Sequence, residues 1–288
     1  MKNQLHTRIL KTSSILLLCL VARSHAATAL PITVTGYNND VVFEVGDTPG
    51  PAGKFLNEGQ ALYESGLGGA SGSGLPTTGS GRTFTSDHTV GDTTNFQFAP
   101  YAGNNALIMQ ESGGPTVKFA TWTFDAAFKQ PYSKLSVLGL SSGRSSNYSF
   151  VVFFTDNTNT GSGVDIEGRF DTRGAFDGQT LPDWFGSGGT AAGQAKSGVG
   201  RVESANGTSF SGDNPGGGVR LQQFNFDITP YGGKSVDRVE FEATGGSGNN
   251  RTFLAISGIA IPEPSSVITA LSGLMLMAFR RSRRNVDA

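Results

Sequence analysis

Between Ala27 and Ile261 no stretch offers a capped amphipathic helix of about 12 residues or more. Short runs of β-branched and aromatic residues fill that span, separated by clusters of Gly, Asn, Asp and Ser. That is the composition of strands joined by tight turns. Residues 116–124 alternate: Val117, Phe119, Thr121 and Thr123 face one way, and Lys118, Ala120, Trp122 and Phe124 the other. Residues 236–242 set Val236, Arg238, Glu240 and Glu242 against Asp237, Val239 and Phe241. A period of two puts one face of a strand on a core and leaves the other in water. Further strand runs lie at 41–45, 134–140, 148–154, 220–228 and 252–259, with Trp122 expected in the core. One or two helical turns are expected at 55–63 and 125–129.

Glycine supports the same reading. It makes up 41 of the 288 residues, roughly twice the usual ~7% share. Much of it lies in three Gly/Ser-rich stretches, 66–81, 186–200 and 212–218. These read as long loops, because neither flank holds enough strands for a core of its own; flexible linkers are the alternative. No G-X-Y period or other fixed repeat is present, which excludes collagen and gives a β-helix or propeller no support. Twenty Phe, six Tyr and two Trp supply enough apolar mass for a core. The expected fold is all-β: a jelly-roll-like β-sandwich over residues 30–260 with long Gly-rich loops. Irregular strand spacing disfavours a closed barrel.

The two ends have a different character. Lys2, Arg8 and Lys11 precede an apolar run at 15–22, followed by Ser24-His25-Ala26 and Ala27-Thr28-Ala29. That order of basic, apolar and small residues is a secretory signal peptide, expected over 1–26 with cleavage as late as Ala29. Cys19 follows Leu18 rather than a small residue, which argues against a lipoprotein site. Cleavage removes this only Cys, so the exported domain depends on its core without disulfides. At the other end, Pro262-Glu263-Pro264 forms a stiff break. An apolar segment at 265–279 then reads as a short transmembrane helix, about 22 Å long against a ~30 Å hydrocarbon core. Arg280, Arg281, Arg283 and Arg284 would hold its end on the cytoplasmic side, and 285–288 form a tail.

Pro262, Glu263 and Pro264, the helix and the four Arg together resemble a PEP-CTERM sorting signal, over residues 261–284. The resemblance implies transient insertion in the inner membrane and recognition by an exosortase-type sorting enzyme, after signal peptidase has acted at the other end. Processing near Pro-Glu-Pro and delivery to the cell surface or an exopolysaccharide matrix would follow. A C-terminal anchor that stays in place is the alternative. Residues 148–156, Asp183-Trp184-Phe185-Gly186, Gly200-Arg201-Val202 and 253–258 also resemble pieces of a galactose-binding-type or lectin-like jelly roll. That similarity implies a carbohydrate-facing β-sandwich.

The near-neutral total of −1 conceals an acidic domain. Fourteen basic and twenty-one acidic residues lie between 27 and 261, a net of −7, which makes nucleic acid an unsuitable partner. His88 is the only His beyond the leader, so Cys/His zinc sites are excluded and a Ser-His-Asp triad would have to use His88, which reads first as a solvated turn residue. Asp165, Glu167, Asp171, Asp177 and Asp183 supply carboxylates for a glycosidase pair, though they read first as solvated acids. Asp156, Asn157 and Asn159 are hard oxygen ligands that could hold calcium, against the simpler reading of a hairpin turn. Asp183 and Trp184 are the candidate sugar contacts, an indole to stack and a carboxylate to accept hydroxyl hydrogen bonds; a Trp plugging the sandwich end is the alternative. No catalytic residue and no obligatory cofactor are expected. The expected protein is exported and non-enzymatic, with extracellular polysaccharide as its candidate ligand. A glycan-active hydrolase or lyase and a ligand-free structural matrix protein are the alternatives.

Overall fold

In a computed structural model, the described residues are 27–47, 54, 56, 60–70, 73–88, 93–110, 118–160, 176, 179–184, 193–203, 210–211, 218–231, 233–245 and 250–262. They are all-β. In chain order the strands are β1 (Leu30–Pro31), β2 (Val34–Thr35), β3 (Val42–Phe43), β4 (Gln60–Tyr63), β5 (Thr83–Thr85) and β6 (Asn95–Gln97). Then come β7 (Leu107–Gln110), β8 (Phe119–Phe124), β9 (Tyr132–Ser142), β10 (Ser146–Phe154), β11 (Gln179–Leu181) and β12 (Gln194–Lys196). The last are β13 (Arg201–Glu203), β14 (Phe210–Ser211), β15 (Leu221–Asp227), β16 (Val236–Gly245) and β17 (Asn250–Ala260).

Two large sheets dominate. One has the order β1-β17-β9-β15-β12 with β7 also on β17, and the other β11-β10-β16-β8-β2. Their facing side chains form one core, which makes the arrangement β-sandwich-like. From the first sheet come Leu135, Val137, Phe226 and Phe253, and from the second Trp122, Phe124, Tyr148, Phe150, Val239 and Phe241. Phe241 stacks on Phe253 at 4.1 Å, and Phe150 on Phe226 at 4.0 Å. Trp122 is fully buried, edge-on to Phe241 at 5.3 Å. Ala120, Trp122 and Phe124 all point inward while Phe119 is 46% exposed, which is the alternation expected of β8.

The six-stranded sheet is covered on both faces. Leu138 and Leu140 of β9 alternate with Leu135 and Val137, and join Val41, Leu62, Phe96, Phe98 and Leu254 in a second core. That explains why Leu135, Val137, Leu138 and Leu140 are apolar on both parities of the strand, which a half-solvated strand does not need. A bulge between Phe253 and Ala255 resets β17, so Phe253 faces the first core while Leu254 and Ala255 face the second. A second bulge lets both Val236 and Val239 reach the first core, against strict alternation through Asp237. A smaller sheet, β14-β13-β4-β3, carries a third cluster of Phe43, Ala61, Tyr63, Leu67 and Val202.

Two local expectations are corrected. Residues 60–63 are a strand rather than a helical turn, because Ala61 and Tyr63 face the third cluster while Leu62 faces the second. The stretch 186–200 is not loop throughout, since it contains β12 on the edge of the six-stranded sheet. The turn expected at 125–129 is present as a short 3-10 helix, Ala126–Phe128. The leader, and the tail beyond Pro262, lie outside the described residues. Among the described residues no helix is long and apolar enough to cross a membrane.

Candidate functional site

Asp183 and Trp184 follow β11 where three segments meet. Asp183 bridges Ser141 of β9. The Trp184 N–H donates to the Ser141 carbonyl at 2.8 Å, and its own carbonyl accepts from the Arg220 N–H at 3.0 Å. These bonds fix the indole, which is 2% exposed and belongs to the second core. The Arg201 guanidinium lies 5.0 Å from the ring centroid, and it also donates to Gln60. Of the two readings offered for Trp184, the structure places the indole as a plug of the second core rather than as an exposed platform. Asp183 is half-buried, with one enclosed carboxylate oxygen that has no hydrogen-bond partner among the described residues.

Asp156, Asn157 and Asn159 sit at the end of β10. The chain reverses there through Asn157 in the left-handed region (φ 63°), and Asn159 bridges back to Phe153. The Asp156 carboxylate accepts from the Thr158 N–H at 3.0 Å and its hydroxyl at 2.5 Å. Its other oxygen lies 3.0 Å from the Lys234 ammonium. The Thr158 bonds first, and Lys234 after them, push the carboxyl down to about 2. The loop is thus a hairpin turn closed by an Asx-type bond, and a cation already sits against its carboxylate. Among the described residues no three His, Cys, Asp or Glu side chains lie close enough to hold a metal.

Of the other candidates, His88 is half-buried and its backbone N–H donates to the Ser86 hydroxyl at 3.1 Å. Asp165, Glu167, Asp171 and Asp177 lie outside the described residues, as do Glu263, Pro264, Arg280, Arg281, Arg283 and Arg284. Pro262 is described and exposed.

Two buried charges are absent from the sequence reading. Glu64, 4% exposed, accepts from the backbone N–H groups of Val45 and Thr78, the former at 2.9 Å. Burial alone would raise its carboxyl, but those donors and the nearby Arg82 outweigh it and hold it below the usual range. Glu64 therefore pins the turns on either side of β4. Arg251, fully buried, donates from Nε to the Asn147 carbonyl at 2.6 Å and so links β17 to β10. Its parity with Phe253 along β17 was the available signal, since both point between the sheets.

The first and last described strands pair with each other. Leu30 and Pro31 pair with Gly258 and Ser257, two residues short of the end of β17. The Ile261 N–H then donates to the Pro131 carbonyl at 2.9 Å. No protein-family model matches the chain, and no curated protein and no solved structure matches it either.

Proposed function

We propose that this chain is an exported, non-enzymatic protein of the cell surface or extracellular matrix, delivered by its two end segments. One observation carries the reading. The basic, apolar and small residues over 1–26, and Pro262-Glu263-Pro264 with the apolar segment and four Arg over 262–284, lie on either side of the strands Leu30–Ala260 in the sequence. A jelly-roll-like architecture is part of the proposal. It is supported by the chain's path, which changes sheet between β7, β8, β9 and β10, and again between β15, β16 and β17.

The carboxylates at Glu64, Asp47 and Asp237 act structurally, held by backbone N–H groups, by Lys54 and by Lys129. Both indoles are buried, which favours the ligand-free structural reading over a stacking sugar site. Deleting residues 262–284 and labelling intact cells with an impermeant reagent tests delivery. The full chain is expected to label and the truncated chain not to; equal labelling would overturn the sorting reading.

A further inference from the structure

We propose that export processing cuts the chain between Ala26 and Ala27, and that Ala27, Thr28 and Ala29 remain as the first residues of the folded domain. The proposal rests on the export reading above. Two bonds satisfy the small-residue rule for signal cleavage. Ser24 and Ala26 precede one, and Ala27 and Ala29 precede the other.

Only the first of the two cuts leaves the folded domain intact. Ala27 and Thr28 are exposed, whereas Ala29 is fully buried. The Ala29 N–H donates to the Thr93 carbonyl at 3.0 Å, and the Ala29 carbonyl accepts from the Asn95 N–H at 3.0 Å. The next residues, Leu30 and Pro31, pair with β17, and the Ile32 N–H donates to the Ile256 carbonyl at 3.0 Å. Ala29 thus ties the start of β6 to the strand that edges the six-stranded sheet.

Hydrolysis of the Ala26–Ala27 bond consumes one water. It leaves a carboxylate on Ala26 and an α-ammonium on Ala27, which is exposed to solvent. A cut after Ala29 would remove a buried methyl group and both hydrogen bonds. It would also strip the Thr93 carbonyl and the Asn95 N–H of those partners.

The test is expression of the full chain, leader included, in a Gram-negative host, with the first residue of the exported product read by mass spectrometry. The expected product begins at Ala27. A product beginning at Leu30 overturns the proposal and leaves the export reading intact; a product still carrying the leader overturns both. Ala26→Phe gives a second readout. It is expected to yield either uncut chain or a Leu30 product melting about 5 °C or more below the wild type. A Leu30 product with an unchanged midpoint overturns the proposal.

Discussion

Gly258 gives the sharpest test of the packing. It lies in β17 opposite Leu30 and Leu135. A methyl group there would sit 2.5 Å and 2.8 Å from two carbons of the Tyr132 ring and 2.9 Å from Ile32 Cδ1. The ring cannot easily give way. Tyr132 is buried, its hydroxyl donates to the Phe128 carbonyl at 2.8 Å, and its edge meets Phe124 at 6.0 Å. Overpacking against a ring held at its far end costs about 3 kcal/mol. The stiffer unfolded chain offsets about 0.7 kcal/mol of that. Gly258→Ala is therefore expected to lose about 2 kcal/mol. Tyr132→Ala leaves a cavity and loses about 4 kcal/mol. In the double variant the new methyl enters space the ring vacated, so the total falls short of the sum by about 1–2 kcal/mol. Urea unfolding followed by far-ultraviolet circular dichroism measures all three against wild type at constant m. Additivity within about 0.5 kcal/mol would refute the contact.

Gly36→Ala forces a side chain onto φ +112° and puts its Cβ 2.1 Å from the Thr121 carbonyl oxygen; a loss of more than about 3 kcal/mol in the same assay is expected. Glu64 has a folded-state pKa below its ordinary 4.5. Its contribution is complete above that pH and is lost as pH falls through the folded value, so Glu64→Gln should flatten the fall of stability below about pH 4.5. Both indoles are buried; iodide should quench their fluorescence weakly, and polysaccharide should leave the emission unchanged. Strong quenching would return Trp184 to the surface and restore the stacking reading.

The long strands were readable because their alternation is local. Trp122 and Phe241 fall on the inner faces that the period of two assigns them. The bulges at Asp237 and Leu254 were not readable, since a register shift depends on the partner strand. β1, β2, β5–β7 and β11–β14 escape the pattern because strands of two to four residues carry too little period to stand out. β4 was misread for a related reason: its alternating residues serve two different cores, which looks like uniform apolarity. At the candidate site, Asp183-Trp184 marked a real junction, but burial reversed the meaning of the indole. Loop composition suggests exposure, and only the bonds to Ser141 and Arg220 reveal that this loop is stitched to the sheet. The hairpin at Asp156 is legible in its own Asp and Asn residues, but the Lys234 ammonium against its carboxylate is not, because it lies 78 positions away along the sequence.

The central claim is that sorting segments, removed after use, carry an all-β domain to the outside of the cell. Peptide mapping of the C-terminus of the surface-delivered protein tests it most directly. A chain ending near Pro262, Glu263 and Pro264, with no peptide from 265–284, is the predicted result. Delivered protein that retains the apolar segment and its Arg cluster would contradict the account and identify the tail as a permanent anchor.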